Sequence, residues 1–403
     1  MKIFDNIKQA VKACRQIAFG ELWNVFRDKG VLIVFFAAGL LYPLVYGLVY
    51  LNETLREVPI AVVDNSHSAT SRHFLRLLDA TPDVVITHRT TSMEEAKRLF
   101  AESKIRGVVY IPASFSKDIA AHRQTHISAY ASMASMLYYR AMYSAVNFTA
   151  LEMGKQIQLE ELESAGFTRH EAEIQTAPLL FEGVALYNTK GGYASFLVPC
   201  ILLLVLQQTL VLGVGILAGT AREENLYRDL IPLQRARHGV LHIVVGKGAA
   251  YLLLYFFIAA YNLLLVPKIF DLPQLVDFWS LMAFTLPYLT ACVFFAISLS
   301  VFCANREVIF LLYLFSSIPM LFLSGAMWPH SQLPGFWKMI SYIFPSTFGI
   351  QGFLKLNSMN ADLKQIRIEY LMLWLQTAIY FVTAVLVYRR QIEQSGKEIL
   401  SKE

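Results

Sequence analysis

Charged residues and cysteines are scarce in this chain. Of its 403 residues, 16% are Asp, Glu, Lys or Arg and 56% are hydrophobic, and the mean hydropathy is +0.46. This composition lies outside the range of ordinary soluble domains and is typical of integral membrane proteins. The net charge of +5 needs no nucleic-acid partner to explain it. The four cysteines have no disulfide-framework or metal-binding spacing, so neither kind of site is predicted: they are Cys14, Cys200, Cys292 and Cys303.

The sequence motifs of an ATPase and of a serine hydrolase are also missing. No Gly-x-x-x-x-Gly-Lys-[Ser/Thr] loop occurs, and the pair Gly246-Lys247 has a different spacing and begins an apolar run. Asp64, Ser66 and His67 lie close together, but no Gly-x-Ser-x-Gly elbow accompanies them, so they indicate a turn after a strand. We therefore expect no catalytic residues and no cofactor in this chain.

Six apolar runs are long enough to cross a bilayer as helices, which takes about 20 residues each. The first run is isolated by a long polar stretch from the other five. The predicted boundaries are residues 31–51 for the first span, residues 191–390 for the region with the remaining spans, and residues 391–403 for a cytoplasmic tail. The runs are Val31–Leu51, Gly191–Gly219, Val240–Val266, Phe278–Asn305, Val308–Pro329 and Tyr370–Tyr388.

The distribution of basic residues predicts the orientation of these spans, because Lys and Arg are retained on the cytoplasmic side. The N-terminal segment, the connection between the second and third spans and the C-terminal tail are rich in Lys and Arg. Both termini are therefore predicted to be cytoplasmic. The short connections on the opposite side carry fewer basic residues, namely Lys268, Lys338, Lys355, Lys364 and Arg367.

Residues 1–30 have the pattern of an amphipathic helix. Apolar side chains recur every three or four residues, whereas the basic side chains fall mostly elsewhere. The pattern predicts a basic helix that lies in the cytoplasmic membrane interface and contacts lipid. A helix packed on a soluble domain is the alternative. The apolar positions are Ile3, Ile7, Val11, Cys14, Ile17, Leu22 and Val25.

The polar stretch between the first two spans, residues 52–190, alternates strand and helix patterns. This alternation predicts a small α/β domain outside the cytoplasm. The predicted fold is thus an α-helical integral membrane protein with six transmembrane helices and one extracytoplasmic α/β insert. Within the insert, strands are predicted at 59–66, 83–88, 106–112 and 126–132, and helices at 68–80, 92–103 and about 136–163.

Polar residues inside the apolar runs are candidates for the lining of a transport pathway, because such groups usually face protein or water within a membrane. No Asp or Glu lies in the middle of a run, which disfavours a transporter driven by protons or sodium ions. The candidate pathway residues are Gln207, Gln208, Thr209, Asn262, Ser316 and Ser317.

The stretch after the fifth run is apolar, but proline and glycine interrupt it too often for it to cross the bilayer. We expect residues 330–356 to form a re-entrant element, since irregular backbone at membrane depth must be covered by protein or line a water-filled cavity. An amphipathic surface loop is the alternative. The candidate residues of an outer gate are Ser324, Gly325, Pro329, Pro334 and Pro345.

A compact segment of mixed charge, residues 220–239, connects the second and third spans and reads as a helix that Pro232 stops. Its charges offer paired contacts to a separate cytoplasmic protein. Alternatively, the same residues cap the neighbouring spans. The candidate coupling residues are Arg222, Glu223, Glu224, Tyr227, Arg228 and Asp229.

The order of one span, an α/β insert and five further spans resembles the permease subunits of ABC exporters. The resemblance is to bacterial members of the ABC type-2 membrane family that carry a large insert after the first span. Two stretches support it: the connection REENLYRDLIPL at 222–233, and LSGAMWPHSQLPGFWKMISYIFPST at 323–347, near the fifth span.

This resemblance implies a permease that moves a substrate out of the cytoplasm or inner leaflet, while ATP and Mg are bound by a separate ATPase subunit. It also implies a homodimer or heterodimer with a second permease in the inner membrane, and a periplasmic adaptor with an outer-membrane channel. The aromatic and methionine content suits an amphipathic or hydrophobic cargo, such as a drug-like molecule or lipid, and suits lipid-facing surfaces as well. The alternative function is a non-transporting membrane sensor or scaffold whose insert binds a ligand.

Overall fold

The computed structural model describes residues 2–51, 54–188, 191–230, 239–303 and 305–400. The chain divides into two compact units. The insert unit is Thr54–Val184, and the membrane unit combines Met1–Glu53 with Ala185–Glu403.

The membrane unit contains six helices that are long and apolar enough to cross a membrane, within the residues that the structure describes. They confirm the predicted α-helical membrane protein with six spans. We number them spans 1 to 6: Lys29–Val49, Tyr193–Glu223, Gly239–Ile269, Phe278–Phe302, Arg306–Leu323 and Arg367–Ser395.

Several span ends differ from those predicted, the largest extension being that of span 6 to Ser395, and two of the differences have a local backbone reason. Span 2 continues about one turn beyond Gly219, because no helix-breaking residue occurs before Asn225, which adopts a left-handed φ of 54°. Span 5 ends at Leu323 instead of Pro329, since Gly325 has a φ of 89°, a conformation that glycine adopts without the steric cost of a Cβ.

Span 2 is the central helix of the membrane unit. Of the most apolar 18-residue stretch of span 2, 94% is buried within this one chain. The buried share of the corresponding stretch is 33% in span 1, 18% in span 5 and 22% in span 6. Spans 1, 5 and 6 therefore leave wide apolar faces uncovered by this chain, which suits contact with lipid or with another protein. On span 5 the exposed side chains include Phe315, Ile318 and Phe322.

The N-terminal helix α1 (Lys2–Arg27) packs along span 3. A Cβ on Gly246 would lie 2.8 Å from the carbonyl oxygen of Cys14 and 2.8 Å from Cβ of Ile17, so glycine permits this close approach. The predicted apolar positions of α1 differ in their surroundings: Val25 is fully buried, whereas Val11 is 61% exposed, and other exposed apolar side chains of the helix are Phe19, Trp23 and Phe26. Contact of α1 with the membrane interface stays a prediction.

The insert unit contains a four-stranded sheet with strand order β2-β1-β3-β4. The first three strands are parallel and β4 is antiparallel. The strands are β1 (Val58–Asp64), β2 (Val84–Thr90), β3 (Gly107–Ile111) and β4 (Ser128–Ala131), and the helices are α2 (Ala69–Asp79), α3 (Met93–Ala101), α4 (Phe115–Ala120), α5 (Met136–Ser164) and α6 (Arg169–Thr176).

Each face of this sheet is covered by helices, as expected for parallel strands that are apolar on both sides. Helices α2 and α5 bury Phe74 and Met142 against one face, where Ile60 and Val62 also point. Helix α3 buries Ala96 and Leu99 against the other face. All four strands and the three longer helices lie where the sequence pattern predicts them.

Candidate functional site

The connector between spans 2 and 3 is not the compact helix that its sequence predicts. The span 2 helix ends at Glu223, Asn225 breaks it with a left-handed φ, and a short 3-10 helix follows at Leu226–Leu230. Residues 231–238 lie outside the described residues, and Pro232, Arg235 and Arg237 are among them. We call residues Arg222–Leu230 the connector.

Two of the predicted coupling residues are used to cap neighbouring helices. The guanidinium of Arg222 donates from Nη1 to the carbonyl oxygen of Cys303 at 3.3 Å, just after the end of span 4. The carboxylate of Glu223 accepts the backbone N–H of Arg306, the first residue of span 5, at 3.1 Å. Such terminal backbone groups have no partner within their own helix. These two side chains therefore bind the connector to the link between spans 4 and 5.

The side chain of Arg306 joins three spans at their ends. Its Nε donates to Oγ1 of Thr220 on span 2 at 2.7 Å, and its Nη2 pairs with Oδ2 of Asp28. Oδ1 of Asp28 accepts the N–H of Gly30 at 2.9 Å and so caps the start of span 1. Gly219 permits this junction, because a Cβ there would lie 2.9 Å from the backbone nitrogen of Arg306.

The connector is also fixed to span 6. Tyr227 is 4% exposed, and its ring meets the ring of Tyr388 edge to face at 5.9 Å. The hydroxyl of Ser395 donates to Oδ1 of Asn225 at 2.7 Å. Burial makes Tyr227 a packing residue of this chain, in contrast to the surface contact that the sequence predicts.

Glu224 is a predicted coupling residue with an exposed side chain. Its carboxylate forms no hydrogen bond or ion pair with any part of the chain that the structure describes. The side chains of Arg228 and Asp229 lie outside the described part of the structure. Within the described residues Glu224 is thus unpaired, whereas the side chains of its neighbours Arg222 and Glu223 are already engaged.

A buried ion pair that the sequence did not reveal lies beside the connector. Glu21 of α1 is 3% exposed, and its Oε2 accepts from Nζ of Lys247 on span 3 at 2.6 Å. The hydroxyl of Tyr251 donates to its other oxygen. Nζ of Lys247 lies 5.6 Å from the centre of the Tyr388 ring, which is the ring that Tyr227 contacts. Glu21 lies four residues after Ile17 and four before Val25, so the three side chains share one helical face. This spacing was the feature of the sequence that could have predicted burial of Glu21.

A groove of about 860 Å³ separates α1 from the connector. Both ion pairs line it, together with Glu224, and small residues such as Ala13 and Gly20 form part of its wall. The groove therefore exposes charges of both signs beside apolar surface. Its charged lining residues are Glu21, Arg27, Asp28, Lys29, Glu224, Lys247 and Arg306.

The predicted pathway residues fall into two groups. Gln207, Gln208, Thr209 and Asn262 are buried within this chain, at exposures of 0 to 3%. Ser316 and Ser317 are half-buried on span 5, the span that this chain covers least. The two serines are thus placed where a surface outside this chain can reach them, whereas the first four are not.

Each of these four buried residues contacts a neighbouring helix or a residue on one. Oε1 of Gln207 accepts the backbone N–H of Ser346 at 2.7 Å, and Nε2 of Gln208 approaches the sulfur of Met320 at 2.9 Å. Oγ1 of Thr209 accepts from the hydroxyl of Tyr255 at 3.0 Å. The amide of Asn262 donates to the carbonyl oxygen of Gly39 at 3.2 Å. These contacts hold helices together inside the membrane unit.

The predicted gate region forms two short helices, α7 (Gly335–Ser341) and α8 (Pro345–Met359). Neither is long enough to cross a bilayer. Ser324 and Gly325 end span 5, and Pro329 and Pro334 precede the short helical turns that follow. Pro345 begins α8, whose first turn receives the side chain of Gln207.

The surfaces of these two helices differ sharply. Helix α8 is largely buried among the spans, whereas α7 exposes Phe336 and Met339. Just before α7, Nε2 of His330 lies 2.9 Å from Oγ of Ser341, the last residue of α7. Burial, with a contribution from Lys338, lowers the pKa of His330. The re-entrant position of this region stays a prediction.

A comparison with known protein families shows which family has this architecture. Residues 29–386 match the family model described as ABC-2 family transporter protein. The chain belongs to this family. It is therefore a multi-pass membrane protein and the permease subunit of an ABC transporter. No curated protein matches the chain in sequence.

Membership of the ABC-2 family has two direct consequences. The family's permeases are generally non-catalytic, and the ATPase that they require is a partner subunit. Among the described residues, no group of three or more His, Cys, Asp and Glu side chains could hold a metal ion. The matched range includes the insert unit, spans 1 to 5 and most of span 6, but it begins after α1, so Glu21 precedes it.

Proposed function

We propose that this ABC-2 permease exports an amphipathic or hydrophobic substrate from the cytoplasm or the inner leaflet. The observation that carries the proposal is the anchoring of the connector. Arg222, Glu223 and Tyr227 link the connector to the end of span 4, the start of span 5 and span 6, and its first two residues are the end of the span 2 helix. A force applied to the connector is thus transmitted to four spans at once.

The ATPase partner supplies that force in this proposal. It binds ATP and Mg, and it contacts the connector at Glu224, the exposed acid that has no partner in the described part of the chain. Charge complementarity at such a contact sets register and specificity. The connector, both termini and α1 then lie on the cytoplasmic side of a bacterial inner membrane, and the insert unit lies outside.

A second permease, as an identical copy or a paralogue, completes the transporter in this proposal. The support is the low coverage of spans 1 and 5, which leaves Phe315 and Ile318 exposed beside Ser316 and Ser317. A pathway between two permeases would place these serines at its wall. A periplasmic adaptor and an outer-membrane channel are further expected partners, by resemblance to exporters with large inserts. Lipid contacts the aromatic face of α1 through Phe19 and Trp23.

The orientation that export requires can be tested by cysteine labelling in spheroplasts. Lys97 is exposed on α3, so Lys97→Cys is expected to react with a membrane-impermeant maleimide. Leu226→Cys on the connector is expected to react only after the membrane is opened. Leu226 is preferred to Asn225, because Asn225 has a left-handed backbone and bonds to Ser395.

The labelling is best done with Cys14→Ser as the background, since Cys14 is the only cysteine that is not fully buried in the described residues. Reaction of Leu226→Cys, but not Lys97→Cys, in intact spheroplasts would invert the orientation and contradict the export proposal.

A further inference from the structure

A cleft of about 420 Å³ opens in the insert unit where the parallel strands β1 and β2 end. β1 is an inner strand of the sheet, with β2 on one side and β3 on the other. The chain therefore passes from β1 to β2 in one direction and from β2 back across β1 to β3. Open α/β sheets bind ligands in the crevice outside the carboxyl ends of their strands, and this cleft lies at the carboxyl ends of β1 and β2.

Two arginines line this cleft from different elements. Arg72 lies in the first turn of α2, and Arg89 lies near the end of β2, where it pairs in register with Val62 of β1. Both arginines are exposed, and Val62 and Leu75 form an apolar floor that is 1% and 2% exposed. The two cations thus stand on one face of the sheet above a buried surface.

Neither arginine is neutralised within the described part of the chain. Arg72 donates one hydrogen bond, from Nη1 to the carbonyl oxygen of His67 at 3.1 Å, and Arg89 has no hydrogen bond or ion pair there. Like charges that share one cleft repel each other, and an anion placed between them removes that repulsion.

Neither acid that lines the cleft, Asp64 or Glu95, pairs with Arg72 or Arg89 within the described residues. Oδ1 of Asp64 accepts the N–H groups of Ser66 at 3.0 Å and His67 at 3.2 Å, and its Oδ2 accepts the hydroxyl of Ser71 at 2.7 Å. The carboxylate of Asp64 therefore already accepts three hydrogen bonds from the turn after β1 and the start of α2. Glu95, on α3, also lines the cleft, and its carboxylate forms no ion pair within the described residues.

We propose that this cleft binds a small molecule through an oxyanion group, either a phosphate or a carboxylate, held between Arg72 and Arg89. A guanidinium presents its N–H donors as a planar fork that matches two oxygens of either group. Thr91 and Thr90 also line the cleft, but Oγ1 of Thr90 is already hydrogen-bonded to the backbone of Ser92. The volume suits a small ligand, and the site stands independently of the export direction.

The test is isothermal titration of the full-length protein in detergent. Inorganic phosphate and citrate are the two probes, each at constant ionic strength with chloride as the reference. Saturable binding of at least one probe is expected, at one site per chain. Arg72→Gln and Arg89→Gln are each expected to weaken it about tenfold or more, because each removes charge-assisted hydrogen bonds.

Arg76→Gln is the matched control, since Arg76 is exposed one turn further along α2 and does not line the cleft. Thermal unfolding shows whether each variant is folded. If Arg89→Gln does not fold, the binding measured for Arg72→Gln tests the proposal. Binding of phosphate alone, citrate alone or both supports the proposal and identifies the oxyanion. The proposal is overturned if neither probe binds at about 10 mM, or if Arg76→Gln weakens binding as much as the cleft variants.

Discussion

Reversing Glu224 to Lys is expected to release the ATPase subunit while the permease stays folded. Glu224 is exposed and unpaired within the described residues, so its loss costs the permease about 1 kcal/mol or less. At an interface, a like charge placed against its former partner costs several kcal/mol, which lowers the recovered complex by about tenfold or more. The measurement is the ratio of ATPase to tagged permease that co-purify in mild detergent.

Glu223 offers a matched comparison one residue away. Glu223→Gln keeps a side-chain oxygen that can accept the N–H of Arg306, whereas Glu223→Lys removes it and leaves the start of span 5 without that acceptor. We expect Glu223→Lys to destabilise the permease by about 1 kcal/mol, the usual cost of a lost helix cap, and Glu223→Gln to be nearly neutral. Full retention of the ATPase by Glu224→Lys would show that Glu224 is not the contact.

Removing one partner of the buried Glu21–Lys247 pair is expected to have the largest effect on stability. Lys247→Met leaves the Glu21 carboxylate buried, with the hydroxyl of Tyr251 as its remaining hydrogen-bond donor. An uncompensated buried charge of this kind costs about 3–5 kcal/mol. We expect α1 to detach from span 3 and to become sensitive to trypsin at Lys12 and Arg15, and the unfolding temperature to fall.

The double variant Glu21→Leu with Lys247→Met separates this effect from simple loss of contacts. Replacing both members of a buried ion pair by apolar residues is often neutral or stabilising, so the double variant is expected to recover most of the lost stability. If it is no more stable than Lys247→Met alone, the pair is not electrostatically coupled in the way that its geometry indicates.

The spans and the insert strands were predictable because each depends on local chemistry. A run of apolar residues of span length allows few other structures, and the strand PIAVVD has the continuous apolar character of a strand covered on both faces. Their ends were less predictable. Span 5 stops at Leu323 because Gly325 takes a left-handed backbone, and a hydropathy pattern carries no information on backbone angles.

The roles of the charged residues were harder to predict, because a charge in the sequence does not reveal its partner. Arg222 and Glu223 have the same surface-helix pattern as Glu224, yet they cap groups more than 80 positions later in the chain. Of the two alternatives that the sequence left open, the structure shows the cap at Arg222 and Glu223, and the partner contact stays a prediction for Glu224. Glu21 was overlooked for the same reason, since Lys247 lies on a distant helix.

The most direct measurement of the central claim is ATP hydrolysis by the complex recovered through a tag on the wild-type chain and placed in lipid nanodiscs. If the permease works through its connector, a second subunit with Mg-dependent ATP hydrolysis is expected to co-purify with the wild-type chain. The Glu224→Lys variant is expected to lose the second subunit and, with it, the ATP hydrolysis. Recovery of the wild-type chain from native membranes without any ATPase would contradict this account and would favour a sensor or scaffold.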